Sequence, residues 1–283
     1  MISVVILTLN EAANLPRCLE SICWCDDILV VDSGSTDYTI EIAGGAGAQV
    51  LTRAFDTFAN QRNYAMEEGA LRHPWVLHLD ADEVVTPELR EELLELAEAK
   101  EERYPVYRVP SRLIFMGQWL RYSGMYPAYQ VRFGRREKLR FVDHGHGQRE
   151  SLPSNQVGTV LSPLDHYNFS KGINDWFSRH LRYARGEAMQ GLAERLEELH
   201  LGELLARDPT TRRRTLKRLA NRLPFRPALR FFYAYVVRRG FLDGRAGFRY
   251  ARMLGIYQYF IDLNTIELRR QSAGSESRIQ ELR

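Results

Sequence analysis

Cysteine is scarce in this chain. Only Cys18, Cys23 and Cys25 occur, and no histidine or fourth cysteine completes a zinc spacing around them. They read as reduced, partly buried thiols, the state expected in cytosol. A secretory leader is also missing from the pattern. Met1-Ile2-Ser3-Val4-Val5-Ile6-Leu7 has no basic start and runs straight into a strand, so no signal peptide is expected. In the arginine-rich C-terminal segment the longest uninterrupted apolar stretch is Phe231–Val237, far short of the ~20 residues that span a bilayer. The first strand is followed by Leu7-Thr8-Leu9-Asn10-Glu11 rather than Gly-x-Gly-x-x-Gly, which sets aside a nicotinamide-dependent oxidoreductase. No internal repeat is present.

What is there begins with 283 residues, 45% of them hydrophobic, enough for one large α/β domain with an appendage. The net charge of +3 conceals an asymmetry. From Arg207 to Arg252 there are 14 Lys+Arg against 2 Asp+Glu, which leaves 25 basic and 34 acidic residues elsewhere. An acidic body with a basic C-terminal segment points to an anionic surface, membrane or nucleic acid. The plainer alternative pairs those arginines with the acidic body or a second subunit.

Ile2–Leu9 and Ile28–Asp32 are continuous apolar runs of strand length, fit for a buried parallel sheet. Leu15, Cys18, Leu19 and Ile22 recur at helical spacing between them. Ser33–Asp37 makes a turn, with Thr36 or Asp37 as cap of a short helix ending at Gly44-Gly45. Gln49–Thr52 is a third strand. A helix over Asn60–Gly69 leads to a fourth strand ending at Asp80. Thr86-Pro87 starts another helix, with threonine as cap and proline at its first position. From Pro105 the pattern turns to β over Val106–Val109, Leu113–Phe115, Gln130–Phe133 and Leu139–Val142, a mixed or antiparallel extension. A long helix is predicted from Trp176 to Arg207. Further helical pieces follow, broken by Pro209, Pro224, Pro227, Gly240, Gly244 and Gly247, with a frayed polar tail from Gln271. Strands alternating with helices imply βαβ units, whose ligands bind beyond the carboxyl ends of the strands.

Trp75-Val76-Leu77-His78-Leu79-Asp80-Ala81-Asp82-Glu83 is the sharpest feature. Two carboxylates leave the end of a buried strand together, an expensive place for negative charge unless something positive sits there. A divalent cation holding a diphosphate meets that demand.

Four motifs, Thr8-Leu9-Asn10-Glu11, Asp32-Ser33-Gly34-Ser35-Thr36-Asp37, Gln61-Arg62-Asn63 and Asp80-Ala81-Asp82-Glu83, occur in this order at consecutive βα units. Together they resemble family 2 glycosyltransferases of the GT-A fold, and more narrowly the lipopolysaccharide-core β-glucosyltransferase (WaaE-type) branch. The resemblance runs through the Gln130–Arg135 strand, and Arg239–Gly247 also looks like C-terminal regions of that branch. It implies an α/β fold, a Rossmann-like, mainly parallel sheet with helices on both faces, plus a C-terminal helical region. The implied division is 1–170 catalytic, 171–270 helical, basic and membrane-associating, and 271–283 tail.

The same resemblance implies site residues. Thr8, Leu9, Asn10, Glu11, Asp32, Ser33, Gly34, Ser35, Gln61, Arg62, Asn63, Asp80 and Ala81 would bind the nucleotide sugar. Asp32 is equally readable as a turn residue after a strand, and Gln61–Asn63 as a solvated helix face. Mg²⁺ or Mn²⁺ would sit on Asp80 and Asp82, with His166 completing the shell. Inverting enzymes of the family need a carboxylate base near the acceptor hydroxyl, which a Val-His-Glu-like segment supplies. Here Phe141–Glu150 departs from that pattern, with Gly147 after His146. Glu150 is the favoured base and Asp143 the runner-up. His144 and His146 could instead form a metal pair, but no third ligand stands beside them. Gly124, Met125 and Tyr126 lie in an aromatic loop suited to an acceptor sugar or to a tight packed turn.

The expectation is therefore an inverting, metal-dependent glycosyltransferase using a nucleotide-diphosphate sugar, UDP-linked by preference, and a lipopolysaccharide-core or lipid-linked glycan acceptor. The basic region would dock on an anionic membrane surface. Nucleic acid is not expected, for want of a recognised motif. The location implied is cytoplasmic, peripheral on the inner membrane's cytoplasmic face. The alternative is a non-catalytic, membrane-docked scaffold that binds nucleotide sugar.

Overall fold

The computed structural model describes residues 1–144, 147–196 and 223–281, with Gly202, Arg212, Thr215 and Leu219 as isolated positions between. His146 and the side chain of His144, Pro209, and the basic stretch 207–222 apart from those positions thus lie outside what is described. The chain divides into two compact units, Met1–Arg121 with Met125–Lys171, and Tyr122–Gly124 with Gly172–Arg283.

The first unit is built on β1 (Ile2–Thr8), β2 (Ile28–Asp32), β3 (Gln49–Thr52) and β4 (Trp75–Asp80), parallel in the order β3-β2-β1-β4. Successive side chains of a strand point to opposite faces, and both faces of β1 are covered. Ile2, Val4 and Ile6 enter one core with Leu15, Leu19, Leu89 and Leu93. Val5 enters another with Ala59, Ala65 and Met66. Helices α1 (Leu15–Ser21), α2 (Thr39–Gly45) and α4 (Pro87–Glu98) serve the first core, and α3 (Phe58–Glu68) the second.

Beyond β4 the sheet continues as β8-β6-β12-β5, formed by β5 (Glu83–Val85), β6 (Val106–Phe115), β8 (Ala128–Arg135) and β12 (Leu164–His166). β8 is antiparallel to β4 and β6, and β12 is parallel to β6 and antiparallel to β5. β7 (Gln118–Trp119) and β11 (Val157–Thr159) pair with β6, while β9 (Phe141–His144) and β10 (Gly147–Glu150) form a separate hairpin. Val106–Val109 and Leu113–Phe115 are one strand, not two. Pro110 is accommodated opposite Tyr129.

Two caps differ from expectation. α2 starts at Thr39 with Tyr38 in the cap position; Asp37 instead accepts from the Thr39 N–H at 3.1 Å and the Ala12 N–H at 3.1 Å, tying two loops. α3 starts two residues before Asn60 because the Thr57 hydroxyl caps it, accepting from the Asn60 N–H at 3.2 Å. Gln61-Arg62-Asn63 therefore do not begin the helix, and the Gln61 N–H already donates to the Thr57 carbonyl.

Thr86 does cap α4, accepting from the Leu89 N–H at 3.2 Å and donating to the Pro163 carbonyl at 2.8 Å. Thr86→Ala is expected to cost about 1–2 kcal/mol, read as a lower urea midpoint at unchanged slope.

The second unit contains α5 (Ile173–Leu196), α6 (Arg226–Phe232), a π-helical turn at Tyr233–Val237, a 3-10 turn at Gly240–Asp243 and α7 (Gly244–Glu281). Ala184 and Ala188 of α5 pack on Ile261 of α7, and Ala234 on Ala251 and Leu254. Asp243 is buried and accepts from the Ser123 N–H and hydroxyl, each at 2.7 Å. Pro227 opens α6 rather than breaking a helix. Gly247 lies inside α7, where a Cβ would collide with the Gly240 carbonyl. The chain expected to fray at Gln271 continues α7 to Glu281. No helix among the described residues is long and apolar enough to cross a membrane.

Candidate active site

The register of the parallel strands gathers the motif residues at one edge. Leu7 of β1 lies opposite Asp80 of β4, and Thr8 opposite Asp32 of β2. The loops leaving these tips are cross-linked. The Asn10 side-chain carbonyl accepts from the Thr36 N–H at 2.7 Å, and its own N–H donates to the Ser35 hydroxyl at 2.8 Å. Asn10 holds a φ of 54°, in the left-handed region that asparagine tolerates. Glu11 accepts from Asn14 at 2.7 Å and from Lys171 at 2.6 Å. Burial raises its pKa against those two partners.

Asp32 turns out to be a turn anchor. It is fully buried and accepts from the Thr8 hydroxyl, the Gly34 N–H, the Ser35 N–H and the Ser35 hydroxyl. A carboxylate offers about four acceptor positions, so none is left for a nucleobase. Gln61 and Asn63 likewise brace the site. The Gln61 amide donates to the Ser33 hydroxyl and the Arg53 carbonyl. Asn63 brackets Phe141, donating to its carbonyl at 2.9 Å and accepting from its N–H at 3.0 Å, which pins the β9–β10 hairpin to α3.

The tip of β4 holds the positive charge that its sequence demands, in a form not expected from the sequence. Arg62 donates to Asp80 Oδ1 and Arg132 to Asp80 Oδ2, both at 2.6 Å. Arg132 also donates to Glu83 Oε1 at 2.6 Å, and Glu83 Oε2 accepts from the Asp80 N–H at 2.8 Å. The two arginine side chains are 1% and 2% exposed, while the Asp80 carboxylate is 33% exposed. Burial works to raise the Asp80 pKa, but Arg132 and Arg62 outweigh it and hold the group well below the usual carboxylate range. Burial and the Asp80 charge raise that of Glu83 against the pull of Arg132. Both Asp80 oxygens are thus engaged by the chain's own cations.

Asp82 stands apart from this quartet. Its carboxylate faces His166 Nε2 at 3.3 Å, and both side chains are partly exposed. His166 is brought there by β12, which pairs it with Glu83 of β5. Burial disfavours the charged imidazole, yet Asp82, then Glu83 and Asp80, push it up to about 9. Among the described residues no group of three or more His, Cys, Asp or Glu side chains is arranged to hold a metal ion.

Asp143 and Glu150 lie on the hairpin. Glu150 is paired with Phe141 and Asp143 with Gln148, so both share the face of Phe141. The Phe141 ring packs edge-on against His78, 5.1 Å between centroids, and lies 5.7 Å from the Arg62 guanidinium. Met125 and Tyr126 belong to the first unit, with Tyr126 edge-on to Trp119 at 4.9 Å; Gly124 belongs to the second.

Arg132 and Lys171 are absent from the sequence reading of the site. For Arg132 the signal is the unmet negative charge at Asp80. For Lys171 there is only its place shortly after His166.

Comparison with known proteins gives a family. Residues 3–152 match the model for glycosyl transferase family 2. The lipopolysaccharide core biosynthesis glycosyltransferase LpsC of Rhizobium meliloti is 34% identical over 164 residues, 56% of this chain and 57% of that protein. An uncharacterized glycosyltransferase of Rickettsia bellii is 36% identical over 110 residues, 38% of this chain and 37% of that one. The matches thus span less than two thirds of these relatives. Among solved structures, glucosyl-3-phosphoglycerate synthase from Mycobacterium tuberculosis, in complex with Mn²⁺, UDP and glucosyl-3-phosphoglycerate, aligns at a TM-score of 0.46. Its identity is 18%, covering 66% of this chain and 77% of that one.

Proposed function

The chain belongs to glycosyl transferase family 2, and on that premise we propose that it moves a sugar from a nucleotide-diphosphate donor to a hydroxyl acceptor, inverting the anomeric centre in one displacement. The observation that carries this reading is the charged tip of β4, where Arg62 and Arg132 grip Asp80 beside the Asp82–His166 pair. Among the described residues, N–H groups of both arginines remain without a hydrogen-bond partner. Preorganised cations of this kind stabilise charge that develops on a leaving group.

The residues fit a divalent cation, Mg²⁺ or Mn²⁺, at Asp82 and His166. One carboxylate and one imidazole stand 3.3 Å apart and partly exposed. Mg²⁺ in particular takes few protein ligands and leaves its other positions to phosphate oxygens and water. Asp80 fits that role poorly, because guanidinium groups already hold both its oxygens. A bound cation supplies charge neutralisation for a diphosphate. On this reading Asp80 fixes the arginines, the cross-linked loops at Asn10 and Ser33–Ser35 shape the nucleotide pocket, and Glu150 takes the proton of the acceptor hydroxyl.

The donor favoured is a UDP-sugar. The acceptor class proposed is a lipopolysaccharide-core or lipid-linked glycan, supported by the likeness to LpsC, with Met125 and Tyr126 as candidate contacts. An acceptor carried on lipid would place the protein at the cytoplasmic face of the inner membrane.

The test is a panel of sugar nucleotides, each with and without Mn²⁺ or Mg²⁺, scored by nucleoside diphosphate release and by calorimetric donor affinity. We expect one donor to bind more tightly with metal than without, and Asp82→Ala to abolish that difference. Equal affinity with and without metal would refute the cation. Donor binding without release under any condition would leave the scaffold reading instead.

A further inference from the structure

The second unit leaves an apolar face uncovered on a helix whose opposite face is buried. On α7 the exposed residues Phe248, Ile256, Tyr259, Leu263 and Ile266 fall within an arc of about 80° when the helix turns roughly 100° per residue. Ala246, Ala251, Met253, Leu254, Ile261 and Thr265 occupy the other side and are buried. A helix between a core and water shows apolar residues on one face only; α7 shows them on both. Residues before α7 expose apolar side chains as well: Phe225 is 81% exposed, and Phe232, Val237 and Leu242 are exposed. Phe248 also packs on the elements before α7, its ring 5.8 Å from that of Phe231 and 5.4 Å from that of Tyr235.

Charge identifies the occupant. From Leu223 to Ile266 there are seven arginines and two acids. Both acids are committed inward: Asp243 is buried against Ser123, and Asp262 accepts from Arg226 at 2.7 Å. Arg245, Arg249 and Arg252 are exposed on the turns that carry Phe248. An apolar face that carries arginines at its N-terminal end, with no uncommitted acid in this stretch, matches a layer of hydrocarbon beneath phosphate headgroups. A second copy of the same face would bring like charges together. A nucleic acid would supply phosphate but no apolar layer for Ile256, Leu263 and Ile266.

We propose that this face docks the protein on an anionic phospholipid bilayer, with α7 lying in the plane of the interface. It extends the lipid-linked acceptor reading and is testable apart from it. The full chain is floated with vesicles of phosphatidylcholine alone and of phosphatidylcholine with phosphatidylglycerol. We expect flotation with the anionic vesicles only, weakening as salt rises. The double variant Ile256→Glu/Leu263→Glu should remain in solution. Arg245→Gln and Arg252→Gln should each lower partitioning about fivefold. All four positions are exposed, and circular dichroism confirms that the variants fold. Release of nucleoside diphosphate from a soluble donor should stay at the wild-type rate in each, so failure of the docking and failure of the transfer reading are separate results. Absence of flotation, or flotation of the glutamate variant equal to wild type, overturns the proposal. So does a concentration-dependent dimer abolished by the same variant, which would assign the face to a second copy.

Discussion

Arg132→Met is expected to destabilise the first unit by about 3–5 kcal/mol, the range for removing one partner of a buried ion pair. Among the described residues, Arg132 alone bonds both Asp80 and Glu83 through its side chain. Asp80 would keep Arg62, and it is partly open to water. Among the described residues Glu83 would keep only the Asp80 N–H, in a site where its side chain is 3% exposed. The penalty therefore falls on a stranded glutamate rather than on a lost attraction. That origin makes a second outcome compulsory: Glu83→Gln in the Arg132→Met background should restore most of the loss, since glutamine removes the charge and keeps the oxygen for the Asp80 N–H. Urea denaturation of the four members of the cycle gives the coupling directly. A loss below about 1 kcal/mol for Arg132→Met would class the contact with surface ion pairs and remove the quartet from the explanation of the site.

That quartet also marks where the sequence stops being readable. Two acids at the end of Trp75–Leu79 demand positive charge on solvation grounds alone, and the demand is met, but its source is not visible locally. Val131-Arg132-Phe133 alternates like a half-exposed strand. Only the pairing of β8 with both β4 and β6, from distant parts of the chain, puts Arg132 under cover. The four parallel strands were legible for the opposite reason. A strand buried on both faces is a continuous apolar run bounded by turn residues, and Ile28–Asp32 and Gln49–Thr52 have the limits expected of them.

Three-residue strands carry no period to read. Glu83–Val85 and Leu164–His166 exist because each finds the other as a partner, and that pairing sets His166 beside Asp82. Asp32 illustrates a different limit. Its position at a strand tip was evident, whereas its hydrogen bonds depend on how Ser33–Ser35 turns back over it. Gln61-Arg62-Asn63 was recognisable as a set. Its place in the second turn of α3 follows from the Thr57 cap, so the three side chains brace a loop, an acid and a hairpin in turn.

The hairpin brace leads to the largest expected effect on activity. Glu150→Gln should lower the turnover of sugar transfer by about 10²–10⁴-fold, the range for losing a general base, while donor affinity stays unchanged. Asp143→Asn should alter turnover only a few-fold. A base must be held within hydrogen-bond reach of the hydroxyl it deprotonates, and the two candidates differ in how they are held. Glu150 is paired with Phe141. That residue's backbone is clamped by Asn63 and its ring stands against His78. Asp143 is two residues farther along β9, exposed, and paired with Gln148. Glu150 lies opposite Phe141, whose ring is 5.7 Å from the Arg62 guanidinium, whereas Asp143 sits toward the hairpin's tip. Glutamine keeps the shape of glutamate, so a loss of turnover with intact folding and donor binding isolates the proton transfer. If Asp143→Asn stops turnover and Glu150→Gln leaves it near wild type, the base belongs to the tip of the hairpin. The Phe141 clamp would then be a packing feature only.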